Sequence, residues 1–302
     1  MTSTRSSYSL SPAPYRGHSS RGIGTSHGIM NKPSGTNVAI LGHSRKNPGR
    51  SSNVGLANQL RYWNWGLYSS NPTSGPIFDG SATSMSGNGE YIPGRGPLTL
   101  SLGSYPNIYL PSGTGGGCVT SGPFKDMTVN LGPVALPLNN GSELYGTGLD
   151  YNPRCLKRDI GGAINEAYAN CTSIVNLITK NKDIWDFEMV MQGIPGSGSI
   201  GVHGGGHYTI AGDPGADVFV SPGDPAFYLH HGMIDRVWWI WQNLDPQNRL
   251  DAISGTGTFL NEPPSANTTL DTVINIGYAG GTNIAMRDLM STTSGPFCYT
   301  YE

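Results

Sequence analysis

The sequence predicts a mainly α fold: a helical core wrapped in long irregular loops, with few short strands. Two observations carry this. Apolar residues return at helical spacing only in the second half of the chain, between Ile160 and Leu244. Elsewhere Gly (44 residues) and Pro (22) break every longer pattern, and only 13% of the 302 residues are charged.

In chain order, residues 1–61 are rich in Ser, Gly, Arg and Asn and have no amphipathic period, the composition of a disordered arm. Residues 66–153 read as loop and short strand, with apolar runs at Leu98–Leu102 and Met127–Leu131. Ile164, Ala167, Ile174, Val175 and Ile178 then mark helix, and Asp183–Gln192 is a second short helical segment. Pro225–Leu244 is the strongest helix. Asp224 suits its N-cap and Pro225 its first turn. Phe227, Leu229, Ile234, Val237, Trp238 and Trp241 give it a wide apolar face. No internal repeat is present.

The net charge of −2 gives no electrostatic basis for binding nucleic acid or an anionic membrane. No apolar run approaches the roughly 20 residues that span a bilayer. Cys118, Cys155, Cys171 and Cys298 form no CxxC pair and suit either disulfides or buried thiols. Asn140, Asn170 and Asn267 each head an N-glycosylation tripeptide. With the cysteines these favour a secreted protein, although the N-terminus carries no apolar signal core.

The chemistry lies in two segments. His203 and His207 are four residues apart, so on a helix both rings share one face, with Cβ atoms about 6 Å apart. A third ligand must come from another element, and the helix beginning at Pro225 offers His230 or His231. Neutral imidazole suits copper, zinc, iron and nickel. An isolated HxxxH pair is commonly a surface coincidence, but two adjacent histidines inside an apolar helix are costly unless paired or ligated. Gly204, Gly205 and Gly206 are poor helix formers, so metal ligation or close approach of a flat substrate must hold that turn. Asp235 lies one turn beyond His231, where it can accept a ring N–H and fix the tautomer, or form a simple helix salt bridge.

These residues resemble the type-3 copper family of tyrosinases, catechol oxidases and molluscan hemocyanins, and most closely its short secreted fungal members. Asp224, Pro225, Phe227, His231 and Asp235 fit the second copper signature of that family. His203 and His207 fit its first two ligands. Tyr62-Trp63-Asn64-Trp65 and Tyr299-Thr300-Tyr301 match motifs that bracket the core domain, so the resemblance spans about 62–302. It implies two coppers, each on three histidines, that use O₂ to oxidise o-diphenols, and in some members monophenols, to o-quinones. Carried over, His203, His207 and His231 bind copper, Asp235 supports them, and Gly204, Phe227 and Val218 shape the substrate pocket. Val218 is equally readable as a plain buried strand residue. Monophenol-active members often have Asn at the Gly204 position and an upstream Glu. Here the nearest upstream candidate is Gln192, which is no base, so diphenol oxidation is expected.

The first copper site is missing. Before Tyr62 the chain has only His18, His27 and His43, in the wrong surroundings. Shifted by one reading frame, however, permitted codons from Arg21 to Arg45 spell WHRYFTWDYEQALRDECGYTGSQP, which resembles what the family carries there. Some steps have almost no codon freedom: Met30-Asn31 must give Glu, and Asn31-Lys32 gives only Gln or stop. Splice-site sequences can be written at Arg45-Lys46 and Leu60-Arg61. Residues about 17 to 45 are therefore read as an out-of-frame exon and 46–61 as a retained intron, leaving 62–302 as the copper domain. Such a chain holds one complete site, is nearly inactive and exposes apolar surface. The other readings are a non-catalytic copper or O₂-binding protein, a pseudoenzyme, or a mononuclear zinc hydrolase, although the pair lacks the adjacent Glu of H-E-x-x-H.

Overall fold

A computed structural model describes residues 61–138, 141–143, 147–148, 150–275 and 282–301. The expectations for residues 1–60, including the disordered or out-of-frame reading and His18, His27 and His43, fall outside the described residues, as does Asn140.

The first half is loop and short strand, as its Gly and Pro content predicts. Strands β1 (Gly89–Tyr91), β2 (Leu98–Leu100), β3 (Ile108–Leu110), β4 (Gly116–Val119), β5 (Thr128–Val129), β6 (Leu136–Leu138), β7 (Gly141–Glu143) and β8 (Arg154–Cys155) form antiparallel pairs rather than one sheet. The pairs are β1–β4, β2–β3, β5–β8 and β6–β7. In β2–β3, Leu98 faces Leu110 and Leu100 faces Ile108, and all four pack under Ile164 and Ile200.

Helices follow: α1 (Gly162–Tyr168), α2 (Cys171–Lys180), α3 (Ile184–Gln192), α4 (Gly201–Ile210), α5 (Ala226–Asn243) and the single turn α6 (Pro246–Arg249). A last pair, β9 (Val273–Ile274) and β10 (Ile284–Ala285), precedes the C-terminal tail. The main core joins Ile174, Leu177 and Ile178 of α2 and Phe187 and Met191 of α3 to Val237, Trp238 and Trp241 of α5. Phe187 stacks on Trp241 at 4.7 Å. Trp63 and Trp65 are buried in this core, and Trp63 N–H donates to the Leu229 carbonyl. The Tyr-Trp-Asn-Trp segment thus clamps the middle of α5.

Two expectations need correction. Ala167 and Val175 are exposed. The helical run breaks at Ala169–Asn170, where the Asn170 side chain accepts from Ser173 N–H and starts α2 in a new phase. The cysteines are neither all paired nor buried: Cys118 and Cys155 form a disulfide between β4 and β8, whereas Cys171 and Cys298 are free and exposed. Closing that loop of 37 residues is worth on the order of 4 kcal/mol in the chain-entropy description. Asp224 caps the start of α5 as expected. It accepts from Ala226 N–H at 2.8 Å, and its carboxylate is gripped by the Arg158 guanidinium at 2.7 and 2.9 Å.

Candidate metal centre

Helix α4 forms around three consecutive glycines because packing demands their smallness. A Cβ on Gly206 would collide with Cε1 and Nδ1 of His230, and one on Gly205 would lie 2.9 Å from the Tyr168 Cβ on α1. Any side chain at either place would push α4 off α5 or α1. The packing that results sets the faces of α4 and α5 together and converges four imidazoles: His203, His207, His230 and His231.

Three of the four converge through the same atom. Nε2 of His207 lies 3.2 Å from Nε2 of His203 and 3.1 Å from Nε2 of His231. Nitrogen ligands at about 2.0 Å from one tetrahedral ion sit about 3.3 Å apart, so these separations are those of a ligand set. The far nitrogens fix the tautomers. Nδ1–H of His203 donates to Gln192 Oε1 at 2.7 Å, and Nδ1–H of His207 donates to the Gly215 carbonyl at 3.3 Å. Both rings therefore turn bare Nε2 lone pairs toward each other, an arrangement that a cation relieves.

His230 differs. Trp65 Nε1–H donates to its Nδ1 at 3.1 Å. With that lone pair engaged, the neutral ring carries its proton on Nε2, buried and turned toward the backbone of His203. It offers a donor, not a lone pair. His231 has a free Nδ1 and is held instead by Phe227, whose ring stacks on it at 3.8 Å. Of the two adjacent histidines, His231 is the one whose Nε2 meets that of His207. Burial keeps all four rings neutral, lowering each pKa, that of His207 to about 4.

Two expected roles change. Asp235 does not receive a His231 ring N–H. Its Oδ2 accepts from the Tyr299 and Tyr301 hydroxyls at 2.7 and 2.5 Å, tying the C-terminal tail to α5, while burial and this carboxylate raise both phenol pKa values. Phe227 is buried behind His231 and is absent from the cavity wall. Gly204 and Val218 do line the cavity, with His203 and His207 at its floor. Val218 sits in a turn and is 40% exposed, so it is no buried strand residue. Sequence reasoning missed two contributors, the Gln192 acceptor and the Trp65 donor. In the sequence Gln192 stands out only as the nearest candidate upstream of Gly204, and Trp65 only as part of a motif.

The comparisons with known proteins agree with this geometry. The common central domain of tyrosinase matches residues 52–244. The chain belongs to the tyrosinase family. It is 39% identical over 248 residues to Tyrosinase P of Aspergillus terreus, covering 82% of this chain and 68% of that protein. It is 34% identical over 263 residues to N-acetyl-6-hydroxytryptophan oxidase ivoB of Emericella nidulans, covering 82% and 70%. A solved structure of a polyphenol oxidase point mutant from Thermothelomyces thermophila superposes with TM-score 0.81 at 41% identity, covering 93% of this chain and 74% of that one. This tyrosinase-family chain is accordingly a copper oxidoreductase by descent, and its all-imidazole cluster suits that metal. Among the described residues this is the single cluster able to hold a metal. No helix among them is long and apolar enough to cross a membrane.

Proposed function

We propose that His203, His207 and His231 hold one copper ion of a pair that, when both are present, oxidises o-diphenols to o-quinones with O₂. The three converging Nε2 atoms carry this reading. Two diphenols each release two electrons and two protons, and O₂ takes up all four of each to become water. Copper, when bound, supplies the one-electron redox steps and the contact with O₂. The chain supplies the rest. Gln192 and the Gly215 carbonyl orient two rings, Phe227 steadies the third, and Gly204 leaves the cavity side of His203 open to a flat aromatic ring. The Gln192 amide is engaged with His203 and is no base, which favours diphenols over monophenols.

The same reading makes residues 62–302 the copper domain and the chain as written nearly inactive, because the described residues complete one copper site of the family's two. One further histidine ligand would come from the hidden frame of the segment before Tyr62. The family's fungal relatives, the disulfide and the glycosylation tripeptides support secretion. The Asn170 side chain already caps α2 and donates to the Glu166 carbonyl, leaving Asn267 as the better acceptor among the described residues.

Copper analysis and transcript sequencing test the proposal together. The chain as written should hold one copper and oxidise catechol negligibly; a protein translated from the corrected transcript, with all of the family's first-copper histidines restored, should hold two and turn over. A spliced transcript that keeps both the insert and the present frame would overturn the exon reading. Zinc in place of copper, with hydrolysis of an ester, would overturn the oxidase.

A further inference from the structure

The cavity above His203 and His207 measures about 1080 Å³. An apolar cavity of about 150 Å³ already accommodates a benzene ring, and drug-sized ligands occupy roughly 300–1,000 Å³. A simple catechol would leave most of this space as water. The extra room is apolar and open at a mouth ringed by large hydrophobic side chains. Trp185, Ile194, Val218 and Phe259 are each 38–54% exposed, and all four line this one cavity. Leu260, beside Phe259, lies on the same wall with φ 53°, a left-handed conformation unfavourable for leucine, followed by Asn261 at φ 56°. Exposed apolar side chains carried on such a turn are a standing cost unless something covers them.

Charge sharpens the picture. Among the described lining residues there is no Lys or Arg, and the single carboxylate, Asp217, is 1% exposed. Its oxygens accept from four backbone N–H groups, those of Val134, Ala135, Phe219 and Val220, so it is satisfied without a ligand. A zwitterionic amino acid would bring both an ammonium and a carboxylate into a wall that offers neither a partner, and burying unpaired charge is strongly unfavourable.

The geometry points to an uncharged phenol bearing an extended apolar arm as the substrate class of this site, with the free amino acid tyrosine and its hydroxylated form excluded. The inference rests on the copper-centre reading for where the phenol ring sits, but its wall residues are independent of the metal. The hydroxyl end meets the His203–His207 floor, and the arm lies between Trp185 and Ile194 on one side and Phe259 and Leu260 on the other.

Equilibrium dialysis of the full chain under nitrogen, so that no turnover intervenes, tests this with four phenols of similar size: 4-propylphenol, tyramine, 3-(4-hydroxyphenyl)propionate and tyrosine. The expected order puts 4-propylphenol at least tenfold tighter than any charged analogue, and 4-hexylphenol tighter still. Phe259→Ala should weaken 4-hexylphenol several-fold more than 4-propylphenol. Ile194→Arg, on the exposed rim, should improve binding of the propionate. Tyrosine binding as tightly as 4-propylphenol, no gain from the longer arm, or no binding of any phenol would each overturn the assignment. Copper content of the same preparation is read separately. Copper retained with no phenol preference sinks only this inference; copper lost with the preference intact sinks only the metal reading.

Discussion

Trp65 and His230 are 165 residues apart in the chain, yet the indole N–H of one donates to Nδ1 of the other in the buried core. That bond favours His231 over His230 as the proposed ligand. His230 is left with its proton on Nε2, whereas Nε2 of His231 lies 3.1 Å from that of His207.

Substituting each in turn should separate ligand from neighbour. His231→Ala should abolish stoichiometric copper binding with the fold retained by circular dichroism. His230→Ala should keep bound copper while lowering stability, because it empties a buried space and strands the Trp65 N–H. Equal loss of copper from both variants would refute the tautomer argument.

Gln192 orients His203 through a 2.7 Å hydrogen bond. Groups that hold a ligand ring from behind typically matter about 10- to 100-fold in metal affinity. Gln192→Leu should therefore weaken copper binding within that range in a competition titration, and Gln192→Glu should preserve it. An unchanged affinity in Gln192→Leu would show that helix packing alone places His203.

Local pattern made the helices and two of the four clustered histidines legible. His203 and His207 are four apart, and α5 carries its apolar face in plain helical period. What pattern could not show was long-range partnership. Nothing near Asp224 in sequence announces Arg158, nothing near His230 announces Trp65, and Asp235 looked like a partner for His231 until the C-terminal tyrosines took its oxygen. The three glycines of α4 illustrate the same limit. Sequence required some close approach there, but only the packed structure shows that Gly206 makes room for the His230 ring.

The buried Arg158–Asp224 pair fixes the start of α5 and, through it, the height of His231. Both side chains are essentially inaccessible, and Arg158 also donates to the Met85 and Ser86 carbonyls. Removing one partner of such a pair leaves a buried charge and costs about 3–5 kcal/mol. Asp224→Asn should lower stability by that order in urea unfolding. The double variant Arg158→Met, Asp224→Asn should lose less than the sum of the two single changes. Strict additivity would mean the two side chains act independently.

Glu188 gives the chain a pH dependence of unusual sign. It lies on α3, one turn before Gln192, and burial pushes its carboxyl from the ordinary 4.5 up to about 9. The folded chain therefore holds this proton up to about pH 9, while the unfolded chain has released it above about pH 4.5. In that window the native state binds one more proton, so stability falls as pH rises, by at most ~1.4 kcal/mol per pH unit. Below about pH 4.5 both states are protonated and the penalty vanishes. Glu188→Gln keeps the shape and removes the titration. Its melting temperature should match that of the parent chain near pH 4 and exceed it at pH 8, by about 2–4 °C for each kcal/mol recovered. A variant less stable than its parent at pH 8 would mean that the carboxylate is ionised and paired in the fold, and that Glu188 stabilises α3 in its charged form.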